Sequence, residues 1–371
     1  MMSDWANRLV LRTEARFSRG VAALWIALGL MAAAAIYARP AVETVSLGNL
    51  YAAMASDPFT LIPGNYVGFR ILTPVISYLL GLRGQLVIVT NLMFASALLV
   101  LVYLYFRKVA PEPGDAFKSA AVMAFSLVTL TTVYFGGYTD SATYLIVFLM
   151  WWNRKRPWLF YALFLLGMIN RECMLFLVPW FIFLRWQTRR RLWPTLIESA
   201  IGLGAALGLY YLVRLWIASQ GPVTFRVLYY LDPLKEDWTH WLERSYPYTG
   251  LGAFSAFKLF WIIPVLAAID LWRNGRRDEV VSMGLVMAGA AAQLVIAFDS
   301  SRMFTLAFPV VVIGLQYLLL SGAFEFRRWF GYLILANFFV PQLYTAAHLL
   351  TIMQSIPGEL FRMYVLGKTG W

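Results

Sequence analysis

Charge is what this 371-residue sequence has least of: only 13% of its residues are Asp, Glu, Lys or Arg, against about 25% in a soluble globular domain. A water-soluble fold of this length would be short of polar surface, so that class is set aside. Cysteine is almost missing. The single Cys173 excludes an internal disulfide and a cysteine metal cluster. There are two histidines, His240 and His348, too few to suggest a zinc centre; no cofactor is assigned, and a divalent metal is left open. Acidic residues number 19 against 31 Lys and Arg, for a formal charge of +12. No soluble domain, low-complexity tract or obvious internal repeat is visible.

What is present instead is hydrophobicity in long blocks. Hydrophobic residues make up 61% of the chain and its mean hydropathy is +0.66. Eleven apolar segments alternate with short basic clusters, at 21–38, 86–106, 119–136, 141–153, 157–169, 173–186, 194–217, 255–272, 280–298, 303–320 and 330–349. That is the pattern of an all-α, polytopic transmembrane bundle. Arg8, Arg12, Arg16 and Arg19 precede the first run with no small-residue cleavage site after it, so the run reads as a retained first helix. Lys and Arg collect in cytoplasmic loops, which explains the positive excess better than nucleic-acid binding does. With the N-terminus inside, six basic clusters hold 19 of the 31 cations on the cytoplasmic side. They are the N-terminal arginines, Arg107/Lys108/Lys118, Arg154/Lys155/Arg156, Arg185/Arg189/Arg190/Arg191, Arg273/Arg276/Arg277 and Arg327/Arg328. The last segment then ends outside.

The same charge rule makes 119–153 and 157–186 hairpins, with tips at Gly136–Asp140 and Asn170–Glu172. Arms of about 12–18 residues reach only about 18–27 Å, against a hydrocarbon core of about 30 Å. The tips are therefore expected to end in a cavity open to the outside, since irregular polar backbone at that depth needs one. Two outside segments are long. The first, 39–85, contains the short apolar stretch Ile71–Leu82 flanked by Arg70 and Arg83, which reads as an interfacial helix. The second, 219–254, carries Trp238, His240, Trp241, Tyr246 and Tyr248, which suit lipid headgroups or a sugar face. Gly202, Gly204 and Gly208 fit close helix packing. The whole, residues 1–371, reads as one transmembrane domain.

Four polar clusters fall on the outer side: Asp57; Asp140; Arg171 with Glu172; and Asp299 with Arg302. Ionisable groups near a bilayer are functional candidates by default. Each also has a structural reading. Asp57 precedes Pro58 and could start a turn. Asp140 is placed to cap a helix. Arg171 and Glu172 could satisfy each other, and Asp299 and Arg302 stand at i and i+3. Tyr138 and Tyr144 suit interfacial anchors, and the two histidines suit surface or structural positions. No acid pair of the kind that hydrolysis requires stands out. One carboxylate with several arginines suits transfer of a sugar from a lipid phosphate. The leaving phosphate needs no proton, arginines bind it bidentately, and a carboxylate deprotonates the acceptor hydroxyl.

The stretches Tyr66–Pro74 (YVGFRILTP), Gly136–Asp140 (GGYTD), Asn170–Glu172 (NRE) and Asp299–Arg302 (DSSR) look like those of bacterial members of the GT-C superfamily of polyprenyl-phosphate-sugar-dependent glycosyltransferases. The likeness in topology covers most of the chain. It implies an inverting transferase of the bacterial inner membrane with its site facing outward, a polyprenyl-phosphate sugar as donor and an extracytoplasmic lipid, glycan or protein as acceptor. It implies Asp57 as catalytic base, although the commoner pair of neighbouring acids in that loop is missing here. Asp140 is the next candidate. Arg302, Arg171 and Arg70 would bind donor phosphate, while Asp140, Glu172, Asp299, Tyr138 and Asn170 would orient them or bind acceptor. No metal ligands are assigned. The rival classes are a transporter or lipid flippase, which also carries intramembrane charge, and a polysaccharide polymerase or ligase, which a diphosphate donor would distinguish.

Overall fold

The computed structural model describes residues 2–64, 66–220, 248–295, 299–346 and 349–353, with a few positions beyond 359. The chain is all-α, about 80% helical. The order is α1 Met2–Arg16, α2 Arg19–Tyr37, α3 Leu47–Ser56, α4 Leu72–Leu79, α5 Val87–Val109, α6 Pro113–Ala124, α7 Leu127–Tyr134, α8 Asp140–Trp152, α9 Pro157–Asn170, α10 Val178–Arg189 and α11 Leu192–Gln220. After the undescribed residues 221–247 come α12 Thr249–Phe257, α13 Ile262–Arg273, α14 Arg277–Ala292, α15 Ser300–Thr305, α16 Phe308–Ser321 and α17 Phe326–Phe339. The aromatic loop around Trp238, His240, Trp241 and Tyr246, and His348 near the C-terminus, lie outside the described residues.

The helix boundaries follow proline and charge. Pro113 and Pro157 open α6 and α9, where a missing amide costs nothing. Arg107 and Lys108 occupy the last turn of α5, complementing its negative end. Gly322 closes α16 in the left-handed region. Five helical stretches are long and apolar enough to cross a membrane: Arg19–Tyr37, Gly84–Val109, Leu192–Gln220, Thr249–Arg273 and Ser300–Ser321. A sixth is formed if α6 and α7, bent by 50°, count as one span. The chain is thus an integral membrane protein by composition and helix length. The expected eleven segments are more numerous than the helices of spanning length, because several are short or broken. The stretch 330–349 departs most. Pro341 disfavours helix at the residue before it, α17 stops at Phe339, and β1 Leu343–Ala346 pairs antiparallel with β2 Leu349–Ile352. The interfacial stretch Ile71–Leu82 is helical only over Leu72–Leu79.

Breaks in the long helices have their polar groups met, as lipid requires. At the α6–α7 bend, Asn337 Nδ2 donates to the Phe125 carbonyl at 3.4 Å. Between α12 and α13, Lys258 takes φ +51 and its buried ammonium donates to Tyr37 Oη at 2.9 Å and to the carbonyls of Asn337 (2.9 Å) and Val340 (3.0 Å). This one side chain ties α2 and the end of α17 to the break.

Contacts gather the six basic clusters at one end of the bundle, the Arg273/Arg276/Arg277 cluster through the pairing of Arg190 with Asp278. Glu14 bonds Arg107 Nε and Nη2, both at 2.9 Å, and lies 3.9 Å from Arg19. Asp115 bridges Lys118 at 2.6 Å and Arg327 at 3.7 Å. Tyr105 near the end of α5 meets Trp151 near the end of α8 with ring centroids 4.8 Å apart. The Arg154 carbonyl accepts from Arg185.

Burial of Glu14 raises its pKa, but bonds from Arg107 and Tyr103 and the charges of Arg107 and Arg19 outweigh it and hold the carboxyl below its ordinary value. A carboxylate depressed in this way contributes stability above its unfolded pKa of about 4.3, and loses it as pH falls through the folded value. Glu14→Gln is therefore expected to lower the melting temperature at pH 7, with the gap from wild type closing below about pH 4. A pH series of thermal melts in detergent checks this.

Candidate functional site

At the opposite end of the bundle, loops far apart in sequence converge on one carboxylate. Asp140 opens α8 and is 2% exposed. Its Oδ1 is ion-paired with Arg171. Its Oδ2 accepts from Arg302 Nε at 3.0 Å and lies 2.8 Å from Arg302 Nη2. Arg302 also reaches Asp299 Oδ2 at 3.2 Å, and its guanidinium lies 4.3 Å from the Tyr138 ring centroid. Arg70 Nε donates to Glu172 Oε2 at 2.9 Å and Nη1 to Tyr51 Oη at 3.5 Å. The three arginines are thus matched by three carboxylates, and each cation is met by a side chain from another segment.

Local sequence sets these positions. Asp299 caps α15 by accepting the Arg302 amide at 3.2 Å. The two serines after it fix the turn: Ser300 and Ser301 hydroxyls meet Thr345 Oγ1 at 2.5 and 3.0 Å, and the Thr345 amide donates to Ser301 at 2.8 Å. Asn170, fully buried, ends α9. Its Nδ2 donates to the Thr139 carbonyl at 3.0 Å and Thr143 Oγ1 at 2.8 Å, and its Oδ1 accepts from Thr73 at 2.7 Å. Asn170 therefore docks α4 and α9 onto α8. The glycines of the 136–140 turn permit the approach of α3: a Cβ on Gly48 would collide with the Gly136 carbonyl, and one on Gly136 with the Glu43 carbonyl.

Eight of the nine residues singled out from sequence (Arg70, Tyr138, Asp140, Asn170, Arg171, Glu172, Asp299 and Arg302) meet in this linked cluster. Arg171 and Glu172 do not pair with each other. Arg171 turns to Asp140 and Glu172 to Arg70. The ninth residue, Asp57, stands apart. It follows Ser56, the last residue of α3, partly exposed, and accepts the Phe59 amide at 3.2 Å, the turn geometry expected of an Asp before Pro. It lies about 9 Å further along the chain axis than Tyr51, which contacts Arg70. Hydrogen bonds from Thr60 and the Phe59 amide hold its carboxyl below its ordinary pKa.

Two contributors were missed. Tyr51 meets Arg70, and Tyr344 on β1 donates to Asp299. Each looks in the sequence like one more aromatic in an apolar stretch. The network also retains unused polarity: Arg171 Nε and Glu172 Oε1 are buried without a hydrogen-bond partner among the described residues. No group of three or more His, Cys, Asp or Glu placed to hold a metal occurs among the described residues.

Fold and site together define a class: an all-helical integral membrane protein with a buried arginine–carboxylate centre at one end of its bundle. No family model matches the chain, and neither a curated protein nor a solved structure is similar to it.

Removing the central charge would leave the buried Arg171 without its carboxylate and facing Arg302, which keeps only Asp299. Asp140→Asn is expected to destabilise the protein by about 3–5 kcal/mol, read as a large fall in melting temperature. Glu172→Gln, which removes the carboxylate from Arg70 but leaves its bond to Tyr51, is expected to cost less in the same assay.

Proposed function

We propose that this protein is an inverting glycosyltransferase of the GT-C type, which moves a sugar from a polyprenyl-phosphate donor to an extracytoplasmic acceptor. The observation that carries the reading is the convergence of Arg70, Arg171 and Arg302, from three separate segments, at the end of the bundle away from all six basic clusters. With those clusters inside, the arginines face the outer leaflet, where a lipid-borne phosphate presents its sugar. We place the protein in a bacterial inner membrane on the resemblance of its short motifs to those of bacterial members of the GT-C superfamily, with the short helices completing the eleven-segment topology.

The donor phosphate exchanges with Asp140 for the guanidinium groups of Arg302 and Arg171, and the unpartnered Arg171 Nε supplies a further donor. The acceptor oxygen attacks the anomeric carbon from the face opposite the phosphate. Its proton passes to the Asp57 carboxylate, ionised at neutral pH as carboxylates ordinarily are; because Asp57 stands apart from the arginines in its own turn, the acceptor has to bridge the two. The bond between the anomeric carbon and the phosphate oxygen breaks with its electron pair going to phosphate, and the arginines stabilise that charge. Asp140, Asp299 and Glu172 hold the arginines, while Tyr138 and Asn170 shape the acceptor side.

A second reading, an occluded transporter or flippase, is favoured by the closure and charge balance of the cluster, where Asp140, Arg171 and Arg302 are each at most 8% exposed. Purified protein given polyprenyl-phosphate sugars and envelope lipid acceptors separates the two. Sugar transfer is the expected result. Flux of substrate through proteoliposomes without transfer would establish the transporter. Asp57→Asn should preserve the melting temperature, since Asn accepts the same turn amide, while lowering the transfer rate by about 10²–10⁴-fold. Full activity in that variant would remove Asp57 from the base role.

A further inference from the structure

At the basic end of the bundle, a cavity of about 490 Å³ opens among the ends of α8, α10, α13, α14 and α16. Its walls carry Arg154, Lys155, Arg190 and Arg276 against a single carboxylate, Glu279. Two of these cations have acidic partners. Arg276 Nη2 donates to Glu279 at 2.7 Å, and Arg190 pairs with Asp278. Arg154, partly buried, has a backbone carbonyl instead: its Nη1 donates to Trp151 O at 3.0 Å, and its guanidinium lies 5.3 Å from the Trp151 ring centroid. Lys155 is exposed at the rim. Topology alone calls for cations in these loops. It does not call for a partly desolvated arginine with no carboxylate, nor for cations from three loops aimed into one space. A cation in that position costs free energy unless an anion joins it.

We propose that this cavity binds the phosphate headgroup of an anionic phospholipid. Its volume falls within the range of small-molecule sites, and basic pockets between helices at this depth suit lipid phosphates. The rim says which source of phosphate fits. Leu320, one of the lining residues, is 53% exposed, and Trp272, next in sequence to the lining Leu271 on α13, is 59% exposed. Exposed apolar surface next to the cations suits acyl chains, and a soluble phosphate would gain nothing from it. The site is separated from the Asp140 cluster by the length of α8, about 20 Å, and the inference does not rest on the transferase reading.

The test is native mass spectrometry of the purified full-length protein titrated with phosphatidylglycerol, with phosphatidylcholine as control. Wild type is expected to retain phosphatidylglycerol preferentially. Arg154→Gln and Lys155→Gln should each weaken retention about fivefold, and Gln316→Trp, which fills the cavity without changing charge, should weaken it as well. Lys155 is exposed, so its variant keeps the test decisive should Arg154→Gln fail to fold. Equal retention of the two lipids by wild type, or unchanged retention in the Lys155 and Gln316 variants, would overturn the proposal. Displacement of the lipid by millimolar inorganic phosphate would overturn the lipid assignment in favour of a soluble anion.

Discussion

The bidentate use of Asp140 by Arg171 and Arg302 is the constraint around which this end of the molecule is arranged. Two guanidinium groups held close repel each other strongly where water is scarce. A single carboxylate between them makes their proximity tolerable, and its position at the first residue of α8 fixes where the α9–α10 turn and α15 must come. The remaining contacts serve that geometry. Asn170 joins α4 and α9 to α8, Asp299 orients Arg302 from below its own helix, and Tyr344 brings the C-terminal hairpin onto Asp299. A neutral set of three cations and three carboxylates is therefore assembled from elements that share no local sequence.

That assembly was partly legible beforehand, and the reason is physical. Ionisable groups are costly in an apolar sequence, so the few that remain in Gly136–Asp140, Asn170–Glu172 and Asp299–Arg302 were visible against their background. The basic loops fixed the parity of the segments, which put those three stretches at one end. Pairing was not legible. Adjacent Arg171 and Glu172 suggest an ion pair with each other, yet the extended backbone at Arg171, φ −159°, sends the two side chains to different partners. Tyr51 and Tyr344 escaped because a hydroxyl on an aromatic ring leaves no trace in a hydrophobicity pattern.

Fewer helices reach spanning length, five or six, than there are apolar segments, for a related reason. Hydrophobic runs report burial as readily as they report lipid exposure, and neither specifies that a helix continues unbroken. Lys258 in the 255–272 run marks a break that a hydropathy window averages away, and Ser126 does the same between α6 and α7. In the 330–349 run, Pro341 and Gln342 end the helix; Gln342 Nε2 then bonds the Ser255 carbonyl at 2.8 Å, where the hairpin begins. The Asp57 turn was legible from the following proline. The 78 or more residues between Asp57 and the hairpin tips gave no measure of its distance from them.

The bend between α6 and α7 has a consequence for the surrounding lipid. Its 12- and 8-residue arms would reach about 30 Å if straight; inclined by 50°, they rise only about 26 Å. Helices α8 and α9, of 13 and 14 residues, are shorter still, about 20 Å. Such short arms would be mismatched to a bilayer core of average thickness if lipid surrounded them, but α6, α7 and α8 are almost wholly buried. The belt that acyl chains meet belongs to longer helices such as α11, 29 residues long and mostly exposed, so the short middle of the bundle is screened and the bilayer around it need not thin.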